Sequence, residues 1–273
     1  MISIDRHCYE LSYCIQSLIS GCELLPEYHD SEWGRVYDWL YLASSVSVVY
    51  ADPSRHDGYL YCEPVQELMN RESKAYSSFV KDLSVFNFVW SSFENISKAL
   101  SKYTSSKVRK CQSNALKGIG FINKYSELVE GIPYYNECLN DLVFLLKEKS
   151  RYFLNDYSEY KGDISHFSMG IWYVKEIRNS FAHGSSGIPT VIDCDDGRKA
   201  DEYSNVILLS TRLVLMTIQL MASSYLKIDD GCLFLWGVHN ECSDDDHILN
   251  KLMKVHLSFN DPIQDVLFYE RGD

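Results

Sequence analysis

Glycine and proline are scarce in this chain, 14 and 6 of its 273 residues, and between Val65 and Lys117 there is neither. That scarcity excludes a collagen-like repeat, a turn-dense β sandwich and a Pro/Gly-rich disordered chain. Acidic residues are missing from one stretch: no Asp or Glu occurs from Asn95 to Ser126, although the formal net charge is −12. The nine cysteines lack the paired short spacings of a disulfide framework, so reduced thiols in a cytosol are expected. No basic segment followed by an apolar run opens the sequence, and the longest apolar runs, Val206 to Leu209 and Leu213 to Met216, are broken by Ser, Thr, Arg and Gln. A soluble cytoplasmic protein with no membrane partner is the expectation.

Several catalytic templates are also absent. There is no glycine-rich phosphate loop, no H-E-x-x-H, no G-x-S-x-G and no close carboxylate cluster for two-metal chemistry. Cys232, His239, Cys242 and His247 are the best metal candidates, but they lack the short C-x-x-C pair of a structural zinc site. No metal and no cofactor are expected. His7 and His166 read as surface or satisfied core histidines, and Cys8, Cys14 and Cys22 as small buried side chains.

What the chain does have is hydrophobic content of 46%, 20 Tyr, and apolar residues at helical spacing. Two helices, Arg6 to Ser20 and Glu32 to Ala51, are expected around the breaker near Gly21 and Pro26. Phe79, Leu83, Phe86, Trp90, Phe93, Ile96, Leu100 and Tyr103 step by three or four and form one continuous apolar stripe. Thr104 to Ser106 should break it, with a second helix running on to Gly118 and Gly120. Pro133 marks the next start, with Tyr135, Leu139, Leu142, Leu146 and Phe153 facing the core. Gly162 and Asp163 should open a helix whose seam passes through Ile164, Phe167, Ile171, Val174, Arg178 and Phe181. A small hairpin turning at Asp196-Gly197 and a long helix from Glu202 to Leu226 follow. The pattern divides into an N-terminal helical extension (1–60), an all-α bundle (62–228) and an acidic C-terminal tail with a short helix (229–273).

Two local features carry chemistry. Lys98, Lys102, Lys107, Arg109, Lys110, Lys117 and Lys124 fall in the stretch without acids, whereas the last 81 residues carry 15 acidic and 7 basic side chains. Such a local basic face suits a phosphate track for RNA, and Lys98, Lys102, Lys107, Arg109 and Lys110 are its candidate contacts. The second feature is I-R-N-S-F-A-H-G, residues 177 to 184. Arg178 is a permanent cation with a rigid fork of donors, and His183 is the side chain suited to moving protons near neutral pH. Arg178 occupies a seam position, which is costly for a guanidinium unless it is paired, for instance with Glu94 or Glu176, or lines a polar cavity.

A helical bundle in which a late core helix ends in R-N-x-x-A-H-G resembles the HEPN superfamily, and the W-S-S-F-E-N-I stretch from Trp90 to Ile96 is similar to an earlier core helix of such domains. The resemblance covers about 62 to 228. It implies a metal-independent endoribonuclease in which Arg178, Asn179 and His183 are catalytic, the ribose 2′-hydroxyl attacking the adjacent phosphate. It further implies a toxin-like or antiphage-defence effector, a regulatory partner such as an antitoxin, and a homodimer with a composite site. Dimerisation answers a geometric difficulty, because five helical positions put Arg178 and His183 roughly 140° apart around the axis. Ser185 stands where many HEPN toxins paired with a nucleotidyltransferase carry Tyr, so control through that tyrosine is not expected. The alternative is a catalytically inactive HEPN-like scaffold that binds a partner protein or a nucleotide.

Overall fold

A computed structural model describes residues 1–21, 31–55, 63–110, 113–129, 131–153, 165–184, 188, 198–228, 249 and 251–257. Helix accounts for 83% of the interpretable residues and no strand occurs among them, so the class is all-α. The helices are α1 (Ile4–Gly21), α2 (Glu32–Ser45), α3 (Glu63–Leu100), α4 (Ser106–Arg109), α5 (Asn114–Tyr125), α6 (Tyr135–Phe153), α7 (His166–Ala182) and α8 (Arg198–Ile228). The hairpin expected after the motif lies outside the described residues except at Ile188 and at Arg198 and Lys199, which belong to α8.

Serine hydroxyls set several helix starts. Ser31 accepts from the Gly34 amide at 3.0 Å to open α2, and Ser113 and Ser165 do the same for α5 and α7. Each satisfies an amide that the first turn leaves without an intrahelical acceptor. The expected N-cap of the motif helix, Asp163, is therefore replaced by Ser165. The break predicted at Thr104 to Ser106 is present: a 3₁₀ turn over Ser101–Tyr103 leads to Ser105, the N-cap of α4.

Gly118 and Gly120 correct the sequence reading, because they sit inside α5 and do not end it. A Cβ on Gly118 would lie 2.3 Å from Ser97 Oγ and 2.7 Å from Phe93 Cζ, and one on Gly120 would lie 2.6 Å from Val108 Cγ1. Both glycines are there for close approach: one lets α5 press onto α3, the other seats α4 on α5.

Aromatic contacts fix how the long helices run. Phe79 on α3 meets Phe181 and Tyr203 at centroid distances of 6.0 and 6.2 Å, while Tyr103 just beyond α3 meets Tyr225 at 5.8 Å. Helices α3 and α8 are thus parallel. Helix α2 runs the other way along α3, since Ser92 Oγ donates to the Val36 carbonyl at 3.0 Å and Lys98 pairs with Glu32. Helix α7 is antiparallel to α8: Tyr135 donates to the Phe167 carbonyl at 2.9 Å near Thr217, and Phe181 ends beside Tyr203's contact on α3.

Helix α8 is the axis of the core. From Ser210 to Ser224 every residue is buried, and α1, α3, α5, α6 and α7 all pack against it. Helices α1 and α2 contribute Leu11, Ile15, Val36 and Leu40 to the same continuous core as Phe86, Phe93 and Ile96 of α3. Each such side chain contributes about 1.5–3 kcal/mol by leaving water. The segment Tyr203–Ile228 is long and apolar enough, by length and composition, to cross a membrane, a property that reading only its short apolar runs misses. In this fold 89% of its most apolar window is buried against protein.

Candidate functional site

The candidate site is the C-terminal end of α7. The last turn closes as the His183 amide donates to the Asn179 carbonyl at 2.9 Å, and the Gly184 amide donates to the Phe181 carbonyl at 3.1 Å. Gly184 has φ +66°, the left-handed conformation that ends a helix and that residues with a Cβ rarely adopt. The helix therefore stops where the sequence predicts. The His183 to Asn179 hydrogen bond also stacks those two residues on one face.

The seam of α7 differs from the expected one by a single position. Gly170, Ile171, Val174 and Ile177 are buried, so Ile177 holds the core slot assigned to Arg178. Arg178 flanks the seam and is half-buried, with Nε sealed from solvent and without a hydrogen-bond partner. Neither carboxylate considered for it is engaged with it. Glu94 accepts from Trp90 Nε1 at 3.1 Å, and Glu176 pairs with its neighbour Lys175. Asn179 is half-buried and His183 is exposed at the helix end.

The basic stretch occupies a different place. Lys102, Lys107, Arg109, Lys110 and Lys124 are exposed on the 3₁₀ turn, on and just after α4, and at the end of α5. Lys102 Nζ lies 5.0 Å from the Tyr103 ring centroid; Lys124 Nζ lies 4.6 Å from that of Tyr125 and donates to the Tyr103 carbonyl at 3.0 Å. Lys98 is the exception among the predicted contacts. It pairs with Glu32, and hydrogen bonding from Lys98 holds the Glu32 carboxyl below its usual range despite partial burial.

The basic face and the motif stand at opposite ends of the bundle. Phe79 marks the motif end of α3 and Lys98 the basic end; at about 1.5 Å per residue these levels are about 30 Å apart. Tyr203 and Tyr225 on α8 mark the same two levels and give a similar span. One protomer does not bring Lys102 to Lys124 next to Arg178 and His183.

The most extensively connected polar cluster was not legible as a site. Arg212 on α8, buried, donates from Nη1 to His7 Nδ1 at 2.9 Å and from Nη2 to the Ile2 carbonyl at 2.6 Å. His7 Nε2 donates to Gln219 Oε1 at 2.8 Å, and Gln219 Nε2 reaches the Leu252 carbonyl at 2.7 Å and His256 Nδ1 at 3.2 Å. His256 Nε2 donates to the Pro133 carbonyl at 2.9 Å. These directions are mutually consistent only with both imidazoles neutral and protonated on Nε2. Burial, with the Arg212 charge and the other imidazole adding to it, pushes His7 well below the usual imidazole range. Burial likewise takes His256 down to about 4. One signal was available: Arg212 and Gln219 are seven apart in an apolar helix and so share a face.

The described cysteines are not activated. Burial pushes the Cys8 thiol up to about 12 and the Cys14 and Cys138 thiols up to about 11, which leaves them poor nucleophiles. No group of three metal-ligating side chains occurs among the described residues, and Cys232, His239, Cys242 and His247 lie outside them. No protein-family model, no curated protein and no solved structure matches the chain.

Proposed function

We propose that this protein is a metal-independent endoribonuclease of the HEPN type, with Arg178, Asn179 and His183 as its working residues. The observation that carries the reading is the unmet donor of Arg178, buried on the helix whose end presents His183. A sealed guanidinium N–H without an acceptor costs about 1–3 kcal/mol, so the fold gains nothing from holding this cation at the helix end. A phosphate is the anion whose geometry a guanidinium fork fits.

In the proposed reaction His183 takes the proton from the ribose 2′-hydroxyl as that oxygen bonds to the adjacent phosphorus. Arg178 balances the extra negative charge on the five-coordinate phosphate. The bond from phosphorus to the 5′ oxygen breaks, and that oxygen takes the proton held by the His183 imidazolium. The products are a 2′,3′-cyclic phosphate and a 5′-hydroxyl. DNA lacks the nucleophile and is not a substrate. Because Arg178 and His183 leave the helix roughly 140° apart, the reading assigns each reacting phosphate a guanidinium from one copy and an imidazole from a second.

The test is incubation of purified protein with total RNA in EDTA, beside His183→Ala and Arg178→Ala. Cleavage in chelator that both variants lose, leaving cyclic-phosphate ends, is the expected result. Intact RNA with a retained oligomer would instead identify a binding scaffold, and cleavage that needs a divalent ion would overturn the mechanism.

A further inference from the structure

We infer that Lys102, Lys107, Arg109, Lys110 and Lys124 form a platform for the phosphate backbone of double-helical RNA, about 30 Å from the end that carries Arg178 and His183. The inference rests on the ribonuclease reading for the strand that is cut, but the platform itself rests on its own side chains.

Charge is the first argument. The protein carries −12 overall, yet these five cations are exposed on the 3₁₀ turn, on and just after α4 and at the end of α5, where residues 95 to 126 contribute no carboxylate and Glu127 is the first acid to follow. A polyanion is repelled by the molecule at large and attracted here. Among the described residues no carboxylate pairs with Lys107, Arg109 or Lys110, unlike Lys98, which Glu32 neutralises.

Rigidity is the second. Val108 sits over Gly120, where an added Cβ would lie 2.6 Å from Val108 Cγ1, so the short helix that bears Lys107 and Arg109 is seated on α5. The Tyr103 carbonyl accepts from Tyr125 Oη at 2.9 Å as well as from Lys124, which joins the 3₁₀ turn to the end of α5.

The state of the aromatic rings decides between single and double strands. Grooves for single-stranded RNA offer free ring faces on which bases stack. Here Tyr103 and Tyr125 are half-buried, their rings against Tyr225 and Phe121 and approached by Lys102 and Lys124. Charge without a free ring suits phosphates, and phosphate contacts position a duplex without reading its sequence. The two ends are about 30 Å apart along the bundle, so the substrate class is RNA that carries a double-helical segment beside the strand that is cut.

The experiment measures fluorescence anisotropy of labelled RNA duplexes of about 16 base pairs and of an unstructured single strand. Full-length wild type is compared with the Lys107→Ala/Arg109→Ala/Lys110→Ala variant across a salt series. Expected are duplex affinity that ignores sequence and exceeds single-strand affinity, at least a tenfold loss in the variant, and a log–log salt slope shallower by about three. Tighter binding to the single strand, or unchanged duplex binding in a variant with wild-type helical signal, would overturn the platform. Duplex binding without cleavage of any RNA keeps the platform and removes the ribonuclease reading. Cleavage with no duplex affinity does the reverse.

Discussion

Nη1 of Arg212 lies 2.9 Å from Nδ1 of His7, and among the described residues no carboxylate pairs with this buried guanidinium. Its charge is held by neutral acceptors, and through Gln219 and His256 the network ties the first residues of the chain, α8 and residues 252 to 256 to one another. That arrangement requires neutral imidazoles.

Acid should therefore loosen the fold in a defined window. His256 has its proton affinity lowered in the folded protein, from 6.5 to about 4, and His7 is lowered too. The unfolded chain takes up these protons first. Stability is then full above pH 6.5 and falls as the pH drops from there toward 4. His256 alone accounts for roughly 3 kcal/mol at the acid end of that window. Urea denaturation at several pH values should show the slope, and His256→Asn should flatten it. Equal slopes in the two proteins would sink the assignment.

Removing the centre of the network should be severe. Gln219→Leu deletes the acceptor of His7 and the donor to Leu252 and His256 while keeping the volume. Three buried groups lose a partner, and the expected loss is about 2–5 kcal/mol by chemical denaturation. A loss under 1 kcal/mol would mean that water enters and satisfies these groups.

Gly118→Ala should destabilise, against the helix-propensity rule. In an exposed helix this change gains about 1 kcal/mol. Here the new carbon meets Ser97 Oγ and Phe93, both fully buried, so α5 must move off α3. Overpacking of this kind costs about 1–3 kcal/mol. A rise in melting temperature would show that the seam is looser than its contacts imply.

Arg178→Met separates a structural from a functional role. Among the described residues nothing pairs with Arg178 Nε, so an apolar side chain of similar length should hold stability or raise it by about 1 kcal/mol. RNA cleavage should be abolished by the same change. A destabilised protein would mark the guanidinium as structural, which counts against the proposed chemistry.

The bundle was legible in the sequence because helical periodicity records which faces are apolar, and the stripe from Phe79 to Tyr103 needed no tertiary information. The stop at Gly184 was legible for a local reason, its positive φ. Ile177 was misplaced from the seam because a pattern of threes and fours drifts against 3.6 residues per turn, and only packing decides which neighbour points inward. Gly118 and Gly120 were misread as terminators because sequence does not reveal how near another helix comes. The distance between the basic stretch and the motif was hidden for a related reason: Lys98 to Lys124 precedes Arg178 by a few helices in sequence, but the order of helices does not say which end of the bundle each loop occupies. The network around Arg212 joins residues more than two hundred positions apart, so only the fold brings them together.

The burial of α8 from Ser210 to Ser224 bears on synthesis. The other long helices are made first, yet the surface they close around is encoded after residue 200. A ribosome-bound chain stopped before that point has α1 to α7 and no pillar. It is expected to be cut readily by protease and to become resistant only after Ile228 has left the exit tunnel, so the protein should finish folding late in translation.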